Sequence, residues 1–178
     1  PFTGHTTIRG GGALADIKSG LRYVRQEPTI LMILVVTLLA VLFSMPYMTL
    51  LPVFTESILK VGAGGMGVLI STSGIGAIVG SLVLASLPNK RRGILLMAGC
   101  LVLGLALVGF SFSTEWRIAL FMMVFVGLGQ TARMTLSNTL LQYYVADEYR
   151  GRVLSLYLME FGLTSFVVFF AGIMADVV

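Results

Sequence analysis

The sequence predicts an all-α integral membrane fold with five transmembrane helices. Two observations carry this. Hydrophobic residues make up 57 % of the chain and charged residues only 11 %, with a mean hydropathy of +0.96, whereas soluble domains carry about 25 % charged residues. Apolar runs long enough to cross a ~30 Å hydrocarbon core, which takes about 20 helical residues, also recur between short polar turns. The clearest turn is Val145-Ala-Asp-Glu-Tyr-Arg-Gly-Arg152, flanked by Ile118–Tyr144 and Val153–Ala175. It reads as a polar hairpin between two membrane helices.

The elements follow in order. Residues 1–12 are Gly/Thr-rich without periodicity and read as a linker end. Residues 13–27 change character: Leu14, Ile17, Leu21 and Val24 share a helical face, and Lys18, Arg22 and Arg25 fall away from it. This predicts an amphipathic helix in the headgroup region, with a soluble linker helix as the alternative. Pro28 then opens the first span at a position that tolerates it.

Residues 28–178 form the bundle, with spans expected over about 29–54, 66–87, 94–112, 118–144 and 153–175. Span 1 contains Pro46 and Pro52, which kink a helix, and carries Thr37, Ser44 and Tyr47 along one side. Glu56–Gly65 is the expected first outer loop. Span 2 is rich in small residues. Gly67, Ser71 and Gly74 follow one ridge, and Gly76 with Gly80 makes a Gly-xxx-Gly pair suited to close helix packing. Span 3 is plain and expected to face lipid, with Trp116 beyond it at interface depth.

Nine Lys and Arg residues fall on one side: Arg9, Lys18, Arg22, Arg25, Lys90, Arg91, Arg92, Arg150 and Arg152. Only Lys60 and Arg117 fall on the other. This bias predicts a cytoplasmic N-terminus and a non-cytoplasmic C-terminus. The net charge of +4 therefore sets orientation and does not indicate nucleic acid. The start at Pro1, the stop after a span and the odd number of spans predict a truncated piece of a longer chain.

Enzyme chemistry is not expected. There is no HExxH, Gly-x-Ser-x-Gly, paired carboxylate site or phosphate loop. Cys100 is alone inside a span and His5 is the lone histidine, in the tail, so no metal site or cofactor is expected. Arg133 and Glu160 are the only charges well inside predicted spans. They lie 14 residues before and 13 residues after Asp147, so at 1.5 Å per residue they reach nearly the same depth. A charge there costs at least ~2.5 kcal/mol unless it faces protein or water, so an Arg133–Glu160 pair is expected. Either the pair joins two helices, or it lines a polar pathway in which Glu160 takes up and releases a proton. Gln130, Ser137 and Asn138, with Thr131 and Thr135 nearby, and Tyr157 with Thr164 beside Glu160, favour the pathway.

Asp147-Glu-Tyr-Arg-Gly-Arg-Val153, with Asn138-Thr-Leu-Leu-Gln142 before it, resembles the cytoplasmic loop between helices 10 and 11 of major facilitator superfamily transporters. Asp16-Ile-Lys-Ser-Gly-Leu-Arg-Tyr-Val-Arg25 followed by Pro28 resembles the segment entering helix 7, most like the bacterial siderophore and macrolide exporter branch. The resemblance covers the chain from Ala13 and implies that the spans are helices 7–11 of a twelve-helix fold. It implies a secondary active transporter of the bacterial inner membrane, exporting a small molecule by proton-coupled alternating access. Its partners would be the lipid bilayer, the small-molecule substrate and the missing N-terminal six-helix half of the same chain. Helices 7 and 10 would line the cavity, helices 8 and 11 would pack on the other half, and helix 9 would be peripheral. Asp147, Arg150 and Arg152 would belong to one cytoplasmic gating loop, and Lys90, Arg91 and Arg92 to another. The chain departs from the family pattern in having no acid between Ala85 and Lys90, and Ala146 where proline is common. A five-span interaction or sensor protein without transport activity is the alternative from another class.

Overall fold

The computed structural model describes residues 13–87, 91–160 and 162–163. The linker end, Lys90, Thr164 and most of the expected fifth span lie outside them. Among the described residues the chain is helical throughout, and four stretches are long and apolar enough to cross a membrane: Pro28–Ile58, Gly62–Ser86, Arg92–Ser111 and Trp116–Tyr144.

The first helix, α1 (Ala13–Gln26), ends just before Pro28. Glu27 is extended (φ −108°, ψ 92°), as steric pressure from a following proline requires. Pro28 then occupies the first turn of α2 (Pro28–Ser44), where no N–H is needed. Pro46 breaks the ladder at Met45, and α3 (Pro46–Val53) continues the same span. Pro52 removes a second N–H inside α3, and a π-helical turn, Phe54–Ile58, follows it. Its signature is the bond from the Leu59 N–H to the Phe54 carbonyl (3.0 Å). The expected loop at Glu56–Gly65 is therefore shorter: helix runs through Glu56, and α4 (Gly62–Ser86) starts at once. Lys60 (φ 53°) and Gly62 (φ 62°) turn the chain in the left-handed region.

The centre of the bundle is α6 (Trp116–Tyr144), with α4 on one side and α5 (Arg92–Ser111) on the other. Glycines bring these backbones together. A Cβ built at Gly76 would collide with the Val124 carbonyl oxygen, and one at Gly80 would lie 3.1 Å from the Leu128 Cα. The approach is mutual: a Cβ at Gly127 would collide with the Ser73 carbonyl oxygen. On the other flank, a Cβ at Gly129 would lie 2.8 Å from the Leu103 backbone nitrogen. The Gly67–Gly74 ridge faces open space instead, with nothing within 4 Å of either added Cβ. On α5, Leu96, Gly99, Leu103, Ala106 and Phe110 turn inward. Ile94, Met97, Leu101, Leu105, Val108 and Phe112 form an exposed stripe, spaced as one helical face and suited to lipid.

After Val145 a turn leads into the last described helix, α7 (150–160), which buries Val153, Tyr157 and Glu160. Two apolar clusters fill the interior. One joins α1, α2, α5, α6 and α7 at the basic end, around Val24, Ile33, Leu140 and Val153. The other gathers Leu51, Leu69, Phe110 and Met123 at the opposite end.

Helix α1 is fastened to the α6–α7 turn. Tyr23 stacks on Tyr149 with centroids 4.2 Å apart and planes 2° from parallel, and its hydroxyl accepts a hydrogen bond from the Ala146 N–H (3.2 Å). Gly20 lets the helix meet the Arg152 Cβ, 3.2 Å from where its own Cβ would be. The docking face is thus Gly20–Tyr23–Val24. Leu21, on the expected stripe, points outward at 45 % exposure. An aromatic pair and a hydrogen bond each contribute about 0.5–1.5 kcal/mol. Tyr23→Ala should therefore speed amide exchange across 17–26 by roughly 10- to 100-fold, while Leu21→Ala leaves it unchanged. Hydrogen–deuterium exchange reads this directly, and equal exchange in both variants would refute the clamp.

Candidate functional site

Three helices converge on one polar group of residues where the two apolar clusters meet: Thr37 from α2, Arg133 and Ser137 from α6, and Tyr157 and Glu160 from α7. All are buried, Arg133 at 0 % and Glu160 at 4 % exposure. Their depth follows from helical register. Thr37 and Ser44 share a face of α2 with Ile30, Ile33 and Val41. Tyr157 and Glu160 continue the buried face of Val153 on α7.

The expected Arg133–Glu160 ion pair does not form among the described residues. Glu160 turns to Thr37 instead: its Oε1 lies 3.1 Å from Thr37 Oγ1. The other carboxylate oxygen, Oε2, has no hydrogen-bond partner among the described residues. The Arg133 guanidinium acts electrostatically on both Tyr157 and Glu160. Among the described residues its terminal nitrogens meet no partner with full hydrogen-bond geometry, although Tyr157 lies close enough to interact with them, and its Nε reaches Gln130 Oε1 only at 3.5 Å. The carboxylate reaches the α2 hydroxyl in place of the α6 guanidinium.

Thr37 has a property that matters chemically. Its Oγ1 lies within hydrogen-bond distance of three oxygens: Glu160 Oε1, the Ile33 carbonyl at 2.9 Å and the Leu34 carbonyl at 3.0 Å. A hydroxyl has one proton to donate and two lone pairs to accept with. Facing an ionised Glu160, Thr37 donates to the carboxylate. Facing a protonated Glu160, it accepts from the carboxyl and gives its own proton to its helix. The Thr37–Glu160 Oε1 hydrogen bond can thus persist in both protonation states without any movement of the backbone.

The other expected residues divide. Ser137 donates to the Arg133 carbonyl at 2.6 Å, and Gln130 is half-buried beside them. Asn138 lies apart. Five residues from Arg133 at about 100° each put it on the far side of α6, where it is exposed and accepts from the Gln142 side-chain amide at 2.8 Å. Thr131 and Thr135 line the same outward groove, of about 330 Å³. Ser44 is buried, and its hydroxyl has no partner among the described residues. Tyr47 lies beyond the Pro46 break, against the cluster at the other end.

At the basic end, Asp147 and Arg150 pair at 2.6 Å while exposed, which is worth little in water. Arg150 also donates to the Gln142 carbonyl at 3.4 Å, near the end of α6 where cations are favoured. Arg152 lies over the Tyr149 ring, 5.7 Å from its centroid. Arg91 and Arg92 open α5. Four contributors did not stand out from their residue types: Thr37 as the carboxylate partner, Tyr23 with Tyr149, and Gly127. The signals present were a hydroxyl in the middle of an apolar span, a tyrosine within each of two basic segments, and the Gly127-Leu-Gly129 step.

A family model described as transmembrane secretion effector matches residues 8–176. No curated protein and no solved structure matches the chain.

Proposed function

Because the chain belongs to the transmembrane secretion effector family of major facilitator transporters, and is thereby a multi-pass membrane protein of transport type, we propose that it serves in proton-coupled export of a small molecule. Its helices would be helices 7–11 in the second half of a twelve-helix fold. The basic end would face the cytoplasm of a bacterial cell, across the inner membrane. Two halves would rock about a midplane site, moving a drug- or siderophore-like substrate. The single observation that carries this is the buried Glu160, held by a Thr37 hydroxyl whose bond to it can persist in either protonation state.

In this mechanism Glu160 binds a proton when its site opens outward and releases it when the site opens inward. Arg133 lines the same pathway beside it. Gln130 and Ser137 hold Arg133, while Ser44, Tyr47 and Asn138 border the substrate path. Asp147, Arg150 and Arg152 act with Lys90, Arg91 and Arg92 as cytoplasmic gates. Support comes from the neutral polar stripe of half-buried Thr131 and exposed Thr135 and Asn138 on α6, which is costly against lipid but suits a water-filled cavity.

The test uses the full-length protein in proteoliposomes with an imposed pH gradient, offering a cationic drug panel and a ferric siderophore. Gradient-driven movement of one substrate, lost on adding a protonophore, is the expected result. Movement that ignores the protonophore would remove proton coupling. No movement of any substrate and no proton flux would leave a membrane scaffold or sensor.

A further inference from the structure

We propose that the seam between α5 and α6 at the basic end binds an anionic phospholipid, headgroup at Arg91 and Arg92 and acyl chain along α2 and α5. The headgroup part is a cavity of about 350 Å³ lined by Arg91, Arg92, Thr139, Tyr143 and Tyr144. Arg91 is exposed and held in the left-handed region (φ 61°). Helix α5 begins there with no side-chain cap and no acid in its first turn, so its positive end is unneutralised from within the helix. No acidic side chain lines the cavity among the described residues. Two guanidinium groups, the Tyr143 hydroxyl and the start of a helix form a phosphate-binding chemistry.

The second observation is independent of charge. The basic cavity shares Gly93, Leu140 and Tyr144 with an apolar groove of about 280 Å³, lined further by Met32, Ile33 and Met97. That groove shares Val36 with another, of about 590 Å³, bounded by Leu39, Phe43, Leu103 and Val108. The path from Gly93 to Val108 spans 15 residues of α5, or roughly 22 Å at 1.5 Å per residue. A leaflet is roughly half of a ~30 Å core, so an acyl chain fits along it. Tyr143 and Tyr144 sit at the junction, where amphipathic rings settle at an interface. A free phosphate would use only the basic half of this site. A phospholipid uses both, and basic pockets between membrane helices favour anionic headgroups.

The test reads lipids retained by the full-length protein in native mass spectrometry after detergent extraction. The probes are phosphatidylglycerol, phosphatidylcholine and inorganic phosphate. Wild type should hold one phosphatidylglycerol in preference to phosphatidylcholine. R91Q/R92Q should weaken that retention by about tenfold, with an unchanged unfolding midpoint, measured alongside, separating lost binding from lost fold. V36W, which fills the groove and leaves both arginines intact, should release the lipid as well. Equal retention of the two lipids by wild type would overturn the proposal. So would displacement by millimolar phosphate with retention untouched in V36W, which would make this a free-anion site.

Discussion

Glu160→Gln in the full-length protein is expected to reduce gradient-driven substrate movement by 100-fold or more while leaving the protein folded. Glutamine keeps the shape of glutamate and keeps an oxygen for the Thr37 hydroxyl, so the hydrogen bond between α2 and α7 survives. What it loses is the ability to bind and release a proton. The cost in stability is small because Oε2, the atom replaced, has no hydrogen-bond partner among the described residues. Glu160→Leu is different. It removes the oxygens as well as the charge, so the hydrogen bond between Thr37 and α7 is lost too, at a cost of about 1–3 kcal/mol, and that variant loses stability along with transport. Flux in proteoliposomes, measured beside the unfolding midpoint, separates the two variants. Full gradient-driven flux in Glu160→Gln would end the coupling role. Thr37→Val should weaken coupling and Thr37→Ser restore it, since only the hydroxyl serves both states of the carboxyl.

The second large effect is structural. Gly127→Ala is expected to destabilise the bundle by about 3 kcal/mol, at the upper end of overpacking costs. The added methyl would meet the backbone oxygen of Ser73, which cannot rotate away as a side chain can; α4 as a whole must shift. Gly76→Ala meets the Val124 backbone in the same way. Gly74→Ala, two residues away, meets nothing within 4 Å. It should instead gain about 0.5–1 kcal/mol from helix propensity. Unfolding titrations of the three variants check this. A midpoint for Gly127→Ala level with that of Gly74→Ala would rule out the close α4–α6 crossing.

What could be read from the residues and what could not follows a physical line. Membrane spans announce themselves through composition, because the bilayer demands long apolar runs. Arg133 and Glu160 stood out because charge is expensive at that depth. Their partners did not. Which hydroxyl meets Glu160 depends on how α2, α6 and α7 are packed, and Thr37 is 123 residues away in sequence. The expected ion pair came from equal depth alone, and depth says nothing about lateral separation. Asn138 reads from the sequence as lying beside the Arg133 face with Thr131 and Thr135, and all three line one outward groove. Gly76 was legible as a packing glycine because a second glycine follows four residues on. Gly127 packs α6 against α4 and Gly129 packs it against α5, so neither makes a single-face motif.

The Thr37–Glu160 bond also bears on how the chain is made. Thr37 and Glu160 are 123 residues apart, and so are Tyr23 and Ala146. At about 5–20 residues per second of synthesis, each pair must wait roughly 6–25 s for its second member. During that interval the first span already resides in lipid with a hydroxyl that would be costly if left alone. The Ile33 carbonyl, one turn back, removes that cost at once. Glu160 takes its hydrogen bond from a distant residue, and it is made after Thr37 and Arg133, which are already in place to receive it. The order of synthesis delivers the carboxylate to a prepared site.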